Sequence, residues 1–168
     1  MQLAQKLNFK KGITSSCKNN GVVYIVQSNY SMALGCYLQA LKIFEELDDK
    51  NGIARNLGSI GNVYYYQNNY SKALFYYFNA LDISEELGDK KGVARHLSNI
   101  GIVYYDQNNY TEALSYYFKA LKMAEEIGNK NGINFNLSNI GKVYEQQADY
   151  PSIELLFQVI KVSRRTGK

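Results

Sequence analysis

Apolar positions along this chain recur three and four residues apart and never alternate residue by residue. Leu57, Ile60, Val63 and Tyr64 follow that spacing, as do Ala73, Leu74, Tyr77, Ala80 and Leu81. A period near 3.6 predicts two amphipathic helices, each with one face to bury. Between them stands "QNNY" at 67–70, where Asn tolerates the left-handed backbone that ends a helix. The next break is "LGDKKG" at 87–92, where Gly88 suits the residue past a helix end and Asp89 the N-cap of the helix that follows. Asp48 stands in for that Gly one unit earlier, and Asn129 for that Asp one unit later. No stretch has a strand pattern. Pro151, the only proline, falls where a helix would begin, which its fixed φ permits.

The pattern returns every forty residues, in rows 11–50, 51–90, 91–130 and 131–168, and rows two and three agree at 24 of 40 positions. A unit of this length buries its apolar face only against its neighbours, so residues 1–168 read as one stacked domain of four antiparallel hairpins. Gly21, Gly61, Gly101 and Gly141 fall at one helical site, with Ala33, Ala73 and Ala113 at a second and Ala40, Ala80 and Ala120 at a third. Helix axes approach closely only where side chains are small, and Tyr24, Tyr64, Tyr104 and Tyr144 are placed to fill the adjoining holes. The edge copies are weaker. Cys17 and Asn20 replace Leu57 and Ile60 in row one, and the second helix of row four aligns after one deletion, with Ser152, Leu156 and Val159 at the Ala73, Tyr77 and Ala80 positions. Residues 2–8 align with the helix end "KIFEELD" and read as a short leading helix, the tail of a preceding repeat. On that reading the chain is a slice of a longer array.

The spacing of Gly61, Tyr64, Ala73, Tyr77 and Ala80 resembles the signature of the tetratricopeptide repeat, and the corresponding residues of rows one and three repeat it. The period is forty rather than the family's commonest thirty-four, and Glu85 or Glu125 stands where the family's terminal proline would be. Six extra residues lengthen the two helices by ~9 Å in total at ~1.5 Å each. This longer form is similar to the repeats of LGN/Pins scaffolds, kinesin light chains and bacterial Rap/PlcR-type receptors. The resemblance implies an all-α, right-handed α-solenoid whose first helices line a concave groove.

Composition narrows the partners. Hydrophobic residues make up 46% and charged residues 20% of the 168, and no apolar run approaches the ~20 residues of a membrane span. The N-terminal "MQLAQKLNFKKG" lacks the apolar core of a signal peptide, so a soluble, cytoplasmic protein without a membrane partner is expected. The net charge of +4 is mild, and the basic tail "KVSRRTGK" is its densest cluster. Glu45/Glu46, Glu85/Glu86 and Glu125/Glu126 interrupt any basic stripe, so a nucleic-acid partner is not expected. Cys17 and Cys36 form no CxxC and read as small, buried or half-buried residues rather than as a zinc site.

Catalytic chemistry finds no foothold in the pattern. The single histidine, His96, reads as a tolerated surface or groove residue. Adjacent glutamates point apart on a helix and cannot share a proton. With no Walker loop and no HExxH, we expect no catalytic residue, no metal, no cofactor and no enzyme.

By resemblance, the groove positions run i, i+4, i+7, i+11 along each first helix. They are Arg55, Ser59, Asn62 and Tyr66 in row two, and Arg95, Asn99, Ile102 and Asp106 in row three. Rows one and four give Ser15, Asn19, Val22, Val26 and Phe135, Asn139, Lys142, Gln146, with Lys18, Tyr65, Tyr105 and Glu145 flanking. Asn can pair with both the N–H and C=O of an extended backbone, Arg forks onto carboxylates, and Tyr offers a rigid contact surface. The expected function is an adaptor that binds a peptide or helix of a partner protein, with an acidic segment suiting the arginines. The alternative is a structural module whose terminal helices stack end to end into a homo-oligomer.

Overall fold

The computed structural model describes residues 2–147, in side-chain detail from residue 9 onward with Lys11 excepted. Among them run seven α-helices and no strand: α1 (Gln2–Val26), α2 (Tyr30–Glu46), α3 (Lys50–Tyr66), α4 (Tyr70–Glu86), α5 (Lys90–Asp106), α6 (Tyr110–Glu126) and α7 (Lys130–Gln146). The expected eighth helix, with Pro151, Ser152, Leu156 and Val159, lies outside the described residues, as does the basic tail.

Helix ends fall where the turn chemistry placed them. Asn68 and Asn108 take left-handed φ values of 58°, Ser28 takes 57°, Asp48 takes 50°, and Gly88 and Gly128 take 66° and 65°. One residue on, a side-chain oxygen captures an orphan N–H of the next helix. Asp49 Oδ1 accepts from Gly52 N at 2.9 Å and Asp89 Oδ1 from Gly92 N at 3.0 Å. Asn29, Asn69 and Asn129 do the same at 3.3, 3.2 and 3.2 Å. The tyrosine that closes "QNNY" also takes part, since Tyr70 and Tyr110 each donate their hydroxyl to the left-handed Asn two residues back.

Residues 2–8 depart from expectation. They are the opening turns of the 25-residue α1 and not a separate leading helix. The reason lies at the register of the other breaks, where Phe9 occupies the position held by the capping Asp49, Asp89 and Asn129. A phenyl ring offers no acceptor, so no side-chain N-cap is available at this point to start a new helix.

Packing divides the chain into two compact units, Met1–Gly92 and Val93–Lys168. The core of the first gathers Ala33 and Tyr37 of α2 with Ile60 and Val63 of α3, ringed by Tyr24, Ile25, Tyr64 and Tyr76. In the second, Ala113, Tyr117 and Leu121 of α6 meet Ile140 and Val143 of α7. The glycine column does what its smallness suggested, but a different ring fills the space. A methyl group on Gly21 would lie 2.5 Å from Tyr37, on Gly61 2.6 Å from Tyr77, and on Gly101 2.7 Å from Tyr117. These rings come from the second helix of each hairpin. The expected fillers Tyr64 and Tyr104 instead stack at the hairpin flank on Tyr76 and Tyr116, at 5.3 and 5.4 Å between centroids. Tyrosine 37, 77 or 117 sits directly across from the glycine, whereas Tyr64 and Tyr104 lie three residues further along the glycine's own helix. Lys10 pairs with Glu46, and Lys50 with Glu86, across the open ends of the first two hairpins. Both pairs touch solvent and are screened by salt, so the buried contacts dominate.

Candidate binding faces

On α3, packing consumes Gly52, Asn56, Leu57, Ile60, Gly61 and Val63. Ala54 and Gly58 are buried too, and outside the buried set lie Lys50, Asn51, Ile53, Tyr64 and Tyr65 as well as the Arg55, Ser59, Asn62, Tyr66 stripe. Arg55 and Tyr66 are exposed, and Ser59 and Asn62 half-buried. Ser59 Oγ donates to Arg55 O at 3.2 Å, which ties the hydroxyl to its own helix. Asn62 Oδ1 accepts the Tyr77 hydroxyl at 2.6 Å, so this amide is partly committed to the hairpin. Burial pushes the Tyr77 phenol far above its ordinary range, with Tyr65 and Tyr66 adding to the shift. Tyr65 lies edge-on to Tyr66 at 5.4 Å and tilted against Tyr70 at 6.1 Å, a small aromatic cluster at the turn end of the helix.

In the second unit, Arg95 and Asp106 are exposed, and Asn99 and Ile102 half-buried. Arg95 Nη2 lies 3.4 Å from His96 Nε2, and Tyr105 packs against Tyr110 at 5.7 Å. The α7 stripe differs. Lys142 is exposed with its Nζ 3.4 Å from Asn139 Oδ1, while Asn139 is buried, at 9% exposure, and its Nδ2 is without a hydrogen-bond partner. On α1, Asn19 is exposed, as are Lys18, Val22 and Val26. The amides Asn19, Asn99 and Asn139 therefore share a register but not an environment: one exposed, one half-buried, one buried. Among the described residues no group of acidic, cysteine and histidine side chains is arranged to hold a metal.

A tetratricopeptide repeat profile matches residues 13–86, 76–126 and 92–159. The chain belongs to the tetratricopeptide repeat family. No curated protein matches its sequence. Among solved structures it resembles aspartyl phosphate phosphatase F from Bacillus subtilis, with a TM-score of 0.82 at 15% identity over 92% of this chain and 42% of that one. It also resembles BtubC from P. vanneervenii, with a TM-score of 0.76 at 20% identity over 91% of this chain and 63% of the other. A third is the Rap conjugation gene regulator of plasmid pLS20, solved in complex with a Phr peptide, with a TM-score of 0.70 at 21% identity over 82% and 39%. The chain thus spans from about two fifths to just under two thirds of these structures. The likeness shows the fold, an all-α solenoid of hairpins.

Within this tetratricopeptide frame, one set of functional-looking polar residues escaped the sequence reading. His96 is neither a surface nor a groove residue, being 0% exposed. It lies four and seven residues before Ile100 and Val103, themselves fully buried, and so shares their face. Asn56 and Asn136 hold the same register in their repeats and are also buried. Asn56 Nδ2 donates to Tyr37 O at 2.6 Å, which fastens α3 to α2. Asn136 Nδ2 donates to Gly132 O at 2.9 Å, and its Oδ1 lies 2.9 Å from Ser98 Oγ. The signal was present in the i, i+4, i+7 spacing from each of these residues to the Ile and Val of its helix.

Proposed function

We propose that this tetratricopeptide repeat chain is a non-catalytic interaction module, whose first helices receive a peptide or helical segment of a partner protein. The observation that carries the reading is the residue set left over on α3 and on α5 once packing is satisfied. Each presents an exposed arginine, a half-buried polar or amide position, and a tyrosine anchored against the turn tyrosine. Arg55 and Arg95 fork onto carboxylates, which favours an acidic segment. Asn19 and Asn99 supply amides for the ligand backbone, with Tyr65, Tyr66, Tyr105, Asp106 and Lys142 flanking. Buried Asn139 and the Tyr77-bonded Asn62 belong to the stripe by register and would reach a ligand only if released from the fold. The peptide-bound Rap regulator, of similar fold, supports this class of ligand. No helix among the described residues is long and apolar enough to cross a membrane, and a cytoplasmic setting fits the role. Selection from a displayed random-peptide library tests it. Enrichment of acidic sequences that the Arg55→Ala/Arg95→Ala variant fails to retain is expected; enrichment unaffected by that variant would refute the assignment.

A second reading, end-to-end self-association, has one observation in its favour. Val22, Val23 and Val26 are exposed on α1, and Val23 holds the register at which Val63, Val103 and Val143 are fully buried. Against it, Ser16 and Asn20 are exposed at the registers where α3 buries Asn56 and Ile60, which makes this edge a poor copy of a repeat interface. Light scattering over a concentration series decides: mass that grows steadily supports stacking, and a constant monomer mass rejects it.

A further inference from the structure

Near-parallel tyrosine rings recur on the flanks of the second and third hairpins. Tyr64 of α3 stacks on Tyr76 of α4 with 5.3 Å between centroids and 7° between planes. One repeat on, Tyr104 of α5 stacks on Tyr116 of α6 at 5.4 Å and 11°. These rings are all half-buried. A lysine ammonium stands over one ring of each pair, Lys72 over Tyr64 at 5.1 Å and Lys119 over Tyr116 at 5.0 Å. Burial, and then the neighbouring Tyr64, hold the Tyr76 phenol above its ordinary range. Burial, then Tyr104 and Glu112, do the same for Tyr116. Other tyrosine contacts lack this geometry: Tyr65 meets Tyr66 at 65° and Tyr70 at 40°, and Tyr105 meets Tyr110 at 52°. Row one holds Tyr24 and Cys36 at the two stacking positions, so it has no second ring there.

We propose that Tyr64 with Tyr76, and Tyr104 with Tyr116, are oxidative modification sites, each pair closing to a dityrosine that bolts the two helices of its hairpin together. The oxidant is a one-electron acceptor regenerated by a peroxide. Each phenol of a pair gives up one electron and its hydroxyl proton, which leaves two neutral phenoxyl radicals face to face. The lysine charge opposes a radical cation in the ring beneath it, so electron and proton leave together. Unpaired spin in a phenoxyl ring concentrates on the oxygen and on the ring carbons ortho and para to it. Stacked faces overlap, so an ortho carbon of one ring bonds to an ortho carbon of the other. Each ring then shifts its displaced ortho hydrogen to its own oxygen and is aromatic again. Two electrons and two protons leave the pair, and the O–O bond of one peroxide is reduced. Edge-on and tilted rings do not overlap their faces, which confines the reaction to the stacked pairs. Tyr65 and Tyr66 follow Tyr64 directly on α3, so the bond would also fix the turn end of the proposed binding face.

The test illuminates the folded full chain, at high dilution, with tris(bipyridine)ruthenium(II) and persulfate, whose peroxide bond is reduced to sulfate. Intact mass, dityrosine fluorescence and a tryptic map with fragment sequencing give the readout. The expected product is a monomer that has lost a pair of hydrogens for each link. Trypsin cleaves after Arg55, Lys72 and Lys90, so peptides 56–72 and 73–90 should emerge joined through Tyr64 and Tyr76. Cleavage after Arg95 and Lys119 leaves peptide 96–119, which should carry an internal bond between Tyr104 and Tyr116. Peptide 19–42, which holds Tyr24 and Cys36, should carry no tyrosine–tyrosine bond. Tyr76→Phe keeps the ring but should lose the bond between 56–72 and 73–90 while retaining the one within 96–119. Tyr65→Phe should retain both. Sequencing that places the wild-type bonds at other tyrosines, links between chains, hydroxylated rings without any link, no reaction, or joined peptides that persist in Tyr76→Phe would each overturn the proposal.

Discussion

Gly61 and Tyr77 set the distance between α3 and α4, and no side chain larger than hydrogen fits between them. A methyl group there would already sit 2.6 Å from the ring, and 2.7 Å at the Gly101–Tyr117 pair. Gly61→Leu or Gly101→Leu should therefore destabilise the chain by about 1–3 kcal/mol, the usual cost of overpacking. Thermal or urea melting checks this, and an unchanged midpoint would reject the packing. The same ring predicts an alkaline weakness. The Tyr77 phenol is buried, donates to Asn62, and is raised above its ordinary value of 10.0. A folded value above the unfolded one means that the stabilisation is fully present below about 10 and is lost as pH rises beyond it. Wild type should lose melting temperature above pH 10 more steeply than Tyr77→Phe, which should itself cost about 0.5–1.5 kcal/mol at neutral pH. At this scale the sequence disclosed which positions must be small, because glycine and alanine columns are visible in any alignment of the rows. It did not disclose which ring fills the space, because two tyrosine columns lie within reach of the same glycine and only the crossing geometry chooses. The burial of His96 is not legible from its residue type; only its phase relative to Ile100 and Val103 carries it.

Helices α2 to α7 begin and end as the turn residues dictate, and their caps are not equivalent. Asp49 Oδ1 holds Gly52 N at 2.9 Å, while Asn109 makes no side-chain cap bond to α6. Asp49→Ala should cost about 0.5–2 kcal/mol, and Asn109→Ala well below that, in paired melting experiments. Equal losses would show that the caps act through something other than these hydrogen bonds. Element boundaries were legible because "LGDK" and "QNNY" encode left-handed and capping positions in their residue types. The continuity of α1 through residues 2–26 was not, because similarity of residues 2–8 to a helix end drew attention away from Phe9, which lacks the acceptor a new helix needs. Buried amides such as Asn56 are hard to see at this scale as well. An Asn in a helix reads as exposed until its partner, here the Tyr37 carbonyl on the neighbouring helix, is located.

For the whole molecule, the repeat was readable from the forty-residue period, its all-α character from the three-and-four spacing, and the family from the spacing of Gly61, Tyr64, Ala73, Tyr77 and Ala80, since each hairpin reuses the same contacts. The binding assignment was less readable, because a stripe of leftover positions carries no mark of which side chains the fold has already engaged. Asn62 and Asn139 show this: one is held by Tyr77 and the other is buried beside Lys142. Arg55 and Arg95 are both exposed and stand at one register of successive repeats, with Arg95 Nη2 3.4 Å from Nε2 of the buried His96. The most direct test is calorimetric titration of a library-selected acidic peptide into wild type and Arg55→Ala/Arg95→Ala, each melted in parallel. Loss of a single charge-assisted contact costs about 1.5–3 kcal/mol, so affinity should fall roughly ten-fold or more while the melting temperature stays nearly unchanged. Full affinity in the double variant, or its unfolding, would contradict the account.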